Sequence, residues 1–352
     1  MDFSLTTEQQ MLSDSVARFA RGGTEASWAT MAALCWTAIA IPEASGGLGG
    51  SAVEVMIIME GLGRGLVAQP FAESCVLCPT LLTELGEGHR PELQGMASGT
   101  LRAAFAGAEA ETRFDPLNPR LRAGRRPDGW ILDGVKSFVP DGAAADHFLV
   151  TARTGSEGPS VFRVPRDAPG LEREDFLCFD GHPASRLRFT GTALPADALL
   201  GAEGGAGPAI ELALDRATAA LCAEALGAME ALREATAEHL RTRQQFGQPL
   251  AGFQVLQHRL VDMFLACEEA RSMTLLATLR LEAERRERIR AVSAAKARIA
   301  QLARSVAYQA IQLHGAMGMC EEFTVGRQAK RLIAIGMLYG DADHHRRRFA
   351  CA

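Results

Sequence analysis

Residues 241–263, RTRQQFGQPLAGFQVLQHRLVDM, end one helix and begin another within a short span. Apolar residues recur at helical intervals over 209–240. Gly247 and Pro249 interrupt that rhythm, and Phe253, Leu256, Leu260, Met263 and Phe264 resume it at spacings of three and four. Glycine accepts the backbone angles that end a helix, and proline cannot continue one. The chain therefore has to turn back here, which places two long antiparallel helices on either side of a corner. A plain helical hairpin does not require what else the corner contains. Arg243 and Gln245 stand just before an aromatic Phe246, a set suited to gripping a phosphate and a flat ring.

The text beyond the corner stays helical, over 253–280, 289–317 and 326–348. With 209–240 this gives four long helices with few breaks, the pattern of an antiparallel four-helix bundle. The run 219–226 is apolar on several faces, which fits burial between subunits as well as within one. Between 101 and 203 the composition changes to short β-type runs, 129–134, 135–139, 148–152, 160–164 and 186–190, punctuated by Gly, Pro and Asp. An all-β middle domain of barrel or sandwich type follows. Residues 1–100 are helical in pattern, opened by a threonine ahead of Glu8 and Gln9 that reads as an N-cap. The expected fold is a multidomain α+β chain: a helical domain over 1–100, a β domain over 101–203 and a helical bundle over 204–352. A length of 352 residues accommodates two or three such domains.

Several function classes are disfavoured. A formal net charge of −5 gives no electrostatic reason to bind nucleic acid or an anionic membrane. The uncharged run 26–42 approaches the length of a membrane span, but its Ser, two Thr and terminal Pro favour a buried core helix, and no span is expected. The opening MDFSLTTEQQ lacks the basic and apolar regions of a secretory signal, so a cytoplasmic protein is expected. Eight cysteines without framework spacing read as reduced thiols, and Cys75 and Cys78 as neighbours on one helix face; no metal site is expected.

Arg243, Gln245, Phe246, Gly247, Pro249, Leu250, Phe253, Gln254, Gln257, Leu260, Asp262 and Met263 together resemble the signature of the acyl-CoA dehydrogenase family. The resemblance implies that Arg243 and Phe246, with Gln245 and Gly247, reach across a subunit interface to the pyrophosphate and adenosine side of an FAD held mainly by the neighbouring subunit. Gln312 and Gly315, in the stretch QLHGAMG, are similar to a glycine motif that approaches the same dinucleotide, with Ala316 in place of one glycine and His314 read as a packed structural residue. Residues 130–139, including Phe138, resemble a strand whose end packs on the flavin ring. Here Pro140 stands where the family has a flavin-contacting hydroxyl, and the loop 103–114 keeps only Glu109 and some small residues of the family's usual loop that holds flavin and substrate. The family takes the α-proton of an acyl-CoA thioester with a glutamate at one of two places. One place reads Tyr339 here, and a phenol is a poor base. The other reads Asp215-Arg216, which makes Asp215 the candidate base and Arg216 a candidate substrate contact. An intrahelical partnership with Arg216, or the place of an early-helix acid favoured by the dipole, competes with that reading of Asp215.

Two functions follow from the resemblance. The first is an FAD-dependent acyl-CoA dehydrogenase that forms a 2,3-enoyl product, works as a homo- or hetero-oligomer and passes electrons to an electron-transfer acceptor protein, in fatty acid or steroid side-chain degradation. The second is a flavin-site-deficient subunit that completes the FAD site of a catalytic paralogue in a heterotetramer.

Overall fold

The computed structural model describes residues 4–22, 26–155, 157–320 and 322–352. Helices α1 (Thr7–Ala20), α2 (Trp28–Ala33), α3 (Ala52–Gly65), α4 (Cys78–Glu84) and α5 (Arg90–Ala97) come first. Strands β1 (Ala103–Ala106), β2 (Arg122–Arg126), β3 (Gly129–Pro140), β4 (His147–Arg153), β5 (Pro159–Pro165), β6 (Leu171–Leu177), β7 (Pro183–Pro195) and β8 (Leu199–Leu200) follow. The remainder is α6 (Gly207–Thr242), a small hairpin of β9 (Gln244–Gln245) and β10 (Gln248–Pro249), α7 (Gln254–Leu279), α8 (Arg285–His314), α9 (Thr324–Ile335) and α10 (Ala342–Cys351). Contacts divide the chain into two units, Ser27–Ser51 with Gln69–Ala217, and Met1–Ala26 with Ala52–Ala68 and Thr218–Ala352.

The first of these units is built on one mixed sheet with strand order β6-β7-β3-β2-β4-β5-β8, and β1 lies parallel beside β4. The long β3 pairs antiparallel with β7, and register shifts fall between Leu132 and Gly134 and between Lys136 and Val139. Each shift bends the strand and re-aims the side chains beyond it. Trp130, Leu132, Phe148, Val150, Phe162 and Leu187 fill the interior, and the rings of Trp130 and Phe162 meet edge to face at 5.2 Å. The run 26–42 is not the single core helix that its composition suggests. α2 lasts six residues and ends at Ala33, and Cys35 with φ +59 leads into the tight turn Trp36–Ala38. The tertiary reason lies in two polar side chains: Trp28 Nε1 donates to Gly99 O at 2.7 Å and Thr37 Oγ1 to Ala97 O at 2.8 Å. These bonds tie the segment to the end of α5 and override helical continuation.

In the other unit the start of α1 closes as its sequence suggests. Thr6 Oγ1 accepts from Gln9 N at 3.2 Å, and Gln9 Oε1 accepts from Thr6 N at 3.1 Å. α3 and α6 touch backbone to backbone. A Cβ on Gly227 would lie 1.8 Å from Glu60 O, and one on Gly63 would lie 2.0 Å from Glu224 O. Only glycine permits such an approach. The expected helix over 326–348 is instead two helices, α9 and α10, separated by a turn in which Tyr339 has φ +54 and Gly340 φ +120. In the first unit, Cys75 and Cys78 do lie one helical turn apart, at the junction of a wide turn Ala72–Leu77 with α4; both are fully buried, and burial pushes both thiols up. α7 leaves Val255, Val261, Phe264, Leu265, Leu276 and Leu279 exposed.

Candidate cofactor and active site

The corner is a tight hairpin. Gln245 pairs with Gln248 and Gln244 with Pro249, so Phe246 and Gly247 form a two-residue turn with φ +54 and +78. Both central residues at positive φ match the right-handed twist of a two-strand ribbon. Glycine adopts that conformation freely, whereas phenylalanine is strained by about 1–3 kcal/mol. Phe246 gains little burial in exchange: it is 89% exposed and meets Phe253 edge to face at 6.1 Å. The backbone carbonyl of Arg243 accepts from Leu250 N at 2.9 Å. Among the described residues no ion pair or side-chain hydrogen bond engages the Arg243 guanidinium, and Gln245 Nε2 donates only to the neighbouring Gln244 O. The hairpin thus presents a cation, an amide and an aromatic ring outward, and a Cβ on Gly247 would meet nothing within 4 Å.

Gln312 is exposed on the last turn of α8, and Gly315 ends that helix with φ +65. His314 between them has a structural place: its ring stacks on His239 at 4.3 Å, and its Nδ1 lies 2.9 Å from Ala310 O. Burial, then His314 and Arg243, hold the His239 imidazole below its ordinary range.

The β unit carries the other candidates. Phe138 is half-buried on β3, bridged to Ala108 and 6.4 Å from the Phe176 ring. Pro140 pairs with Ala184 and brings no N–H, while the N–H of Ser137 donates to Ala108 O and that of Asp141 to Pro183 O, each at 3.0 Å. Glu109 is spent internally. It accepts from Arg120 N at 2.7 Å, Leu121 N at 3.1 Å and Lys136 Nζ at 2.6 Å, and Lys136 also donates to Thr151 Oγ1 at 2.8 Å. Burial pushes the Lys136 ammonium down to about 8 against the opposing pull of Glu109. The partnership of Glu109 with Lys136 is not apparent from the sequence, although a lysine inside an otherwise strand-like run was a signal for it.

Asp215 is 1% exposed and Arg216 half-buried, both inside α6. The helix begins at Gly207, so Asp215 is not the early-helix acid favoured by a dipole that the competing reading supposed. Three further buried charges are not apparent from the sequence. Arg331 on α9 grips Glu224 on α6 at 2.6 and 2.9 Å, and Lys296 on α8 donates to three carbonyls around the α9 end. Glu224 inside the apolar run 217–226, and Lys296 among small residues, were the available signals.

Three domain models describe the acyl-CoA dehydrogenase N-terminal, middle and C-terminal domains, and they match residues 6–99, 104–192 and 205–351. The chain is 30% identical to the human mitochondrial short-chain specific acyl-CoA dehydrogenase over 309 residues, 84% of this chain and 74% of that one. The chain belongs to the acyl-CoA dehydrogenase family. Its relatives in that family include the L-prolyl-[peptidyl-carrier protein] dehydrogenase of Pseudomonas fluorescens, 30% identical over 335 residues, covering 91% of this chain and 88% of that one. The structure of an FAD complex of PigA superposes with a TM-score of 0.91 at 26% identity, covering 100% of this chain and 98% of that one. As a family member the chain is an FAD-dependent oxidoreductase with the expected helical, β and helical parts. Its residues fit FAD unevenly: the outward corner suits an anionic, planar group, whereas the end of β3 lacks the donor that Pro140 replaces.

Proposed function

We propose that this flavoprotein oxidises the 2,3-bond of an acyl thioester. FAD supplies the hydride acceptor for C3. Asp215 takes the proton from C2, and its burial supports that role, because this step needs a carboxylate in a site shielded from bulk water. Arg216 orients the polar end of the thioester carrier. Arg243, Gln245, Phe246 and Gly247, with Gln312 and Gly315, hold the flavin of a neighbouring subunit, and Phe138 packs beside a flavin from the β unit. The observation that carries this reading is the outward corner: strain at Phe246 with its ring in solvent makes sense where another molecule covers it. The exposed apolar face of α7 supports an oligomer, and an electron-transfer protein is the acceptor. The relatives are named for CoA and for carrier-protein substrates, so the class proposed is the thioester rather than its carrier. Anaerobic mixing of the assembled holoenzyme with acyl-CoA and acyl-carrier thioesters tests it; a flavin that none of them bleaches would overturn it.

A second reading, a partner subunit that completes a paralogue's FAD site, is favoured by specific features. Pro140 lacks a donor, Glu109 is consumed by Lys136 and two backbone amides, and Tyr339 replaces a carboxylate. No helix among the described residues is long and apolar enough to cross a membrane.

A further inference from the structure

Lys296 sits in α8 with 1% of its surface exposed. Its Nζ donates to Ile335 O at 2.7 Å, Leu338 O at 2.9 Å and Gly340 O at 3.1 Å. An ammonium has three donors, so all are directed at carbonyls. The acceptors are the end of α9 and the turn after it, where helix carbonyls lack intrahelical partners and carry partial negative charge. That turn is strained. Tyr339 holds φ +54, a conformation uncommon for a bulky side chain. A Cβ on Gly340 would lie 2.5 Å from His344 Cδ2 and 2.9 Å from His345 Nε2. His345 Nε2 also lies 3.2 Å from Tyr339 O, so the turn is held from α8 on one side and α10 on the other. A strained residue fixed from both sides points to a functional constraint rather than slack.

We infer that Lys296 is a positioning residue, whose ammonium fixes the turn 336–341 and thereby where the Tyr339 ring stands. That the ring stands beside the reacting thioester rests on the function proposed above together with the family resemblance, in which Tyr339 occupies one of the two places of the base. The groups that act on the ammonium are Cys222 on α6 and Asp341 at the start of α10, and His345 on α10 feels it in turn, together with His344 and Arg348. The Cys222 thiol is pushed up to about 12 by burial, and burial, then Lys296, His344 and Arg348, hold His345 well below its ordinary value. Both stay neutral through pH 7–9. Burial pushes Lys296 itself down to about 8. Losing its proton leaves an amine with two N–H donors facing three carbonyls, and the turn loosens.

The chain has two tyrosines, Tyr308 and Tyr339. Tyr308→Phe, made in the assembled holoprotein with 13C-labelled tyrosine, therefore leaves Tyr339 as a single resonance. Lys296→Met in that background should displace the resonance and raise the KM for an acyl thioester severalfold at unchanged flavin content. Should Lys296→Met fail to fold, titration of the Tyr308→Phe protein decides, with a Tyr339 shift whose midpoint lies below the ordinary lysine value expected. A resonance that neither Lys296→Met nor pH displaces overturns the inference. If the resonance follows Lys296 while no thioester reduces the flavin, the proposed reaction falls and the positioning role stands.

Discussion

Phe246 and Asp215 are the residues whose local settings disagree most with simple folding needs. One is an aromatic ring held in solvent at positive φ, the other a carboxylate buried in a helix interior. Because the Arg243 guanidinium makes no internal bond among the described residues, Arg243→Ala should change the stability of the flavin-free chain by no more than about 0.5 kcal/mol. The same change should lower flavin occupancy of the assembled protein severalfold. Denaturation curves and the flavin-to-protein absorbance ratio measure the two effects, and a large stability loss with full occupancy would make Arg243 a corner residue only. Asp215→Asn keeps the size of the side chain and removes its basicity. Flavin reduction by a thioester should then fall by roughly a hundredfold or more, with the flavin still bound. Stopped-flow absorbance under anaerobic conditions follows this, and reduction at the parental rate would assign the base to another residue.

At the scale of elements, close backbone contacts and buried charges carry the specificity. α3 and α6 meet at Gly63 and Gly227, where any side chain would enter the partner helix's backbone. Gly227→Ala should therefore destabilise the chain by about 1–3 kcal/mol or more through forced separation of the helices, despite alanine's better helix propensity. Urea unfolding measures it. In the β unit, removing one member of the Glu109–Lys136 pair strands the other in a dry interior, a loss of about 3–5 kcal/mol. Glu109→Leu should cost more than Lys136→Met, because Glu109 also satisfies Arg120 N and Leu121 N. Equal losses would mean that the two backbone bonds contribute little.

For the whole molecule, the exposed apolar face of α7 and the outward corner are the surfaces that the proposed oligomer would cover. Purified without a paralogue, the chain should hold FAD substoichiometrically, since Pro140 removes a donor from the β unit and the Glu109 carboxylate is already occupied as an acceptor. A visible spectrum decides it, and a stoichiometric yellow protein would favour a self-sufficient enzyme. Stability should also fall as pH drops below about 6.5. His147, His239 and His345 are all held below their ordinary values, chiefly by burial. The unfolded chain thus takes up protons first, and stability is lost as pH falls from the unfolded imidazole value towards the folded ones. Glu60, raised by burial, opposes this as a single group. Urea midpoints between pH 7 and 5 measure the slope, and a His345→Gln variant should flatten it.

Periodicity and punctuation along the chain were enough to determine the order of helical, β and helical parts, the capped start of α1 and the corner at Gly247 and Pro249. Each of these depends on neighbours within a few positions, and the short-range chemistry of turns and caps is written locally. The acyl-CoA dehydrogenase resemblance was legible for the same reason, because its corner motif lies in one continuous stretch. Local patterns could not show that 26–42 breaks after six helical residues, since the bonds of Trp28 and Thr37 that stop it reach to Gly99 and Ala97. Nor could they show that Lys136 joins Glu109, that Arg331 joins Glu224, or that Lys296 caps a turn some forty residues on. These partners are distant in sequence. A buried charge is tolerable only where folding delivers its partner, so only the tertiary structure decided which charges face inward and what they hold in place.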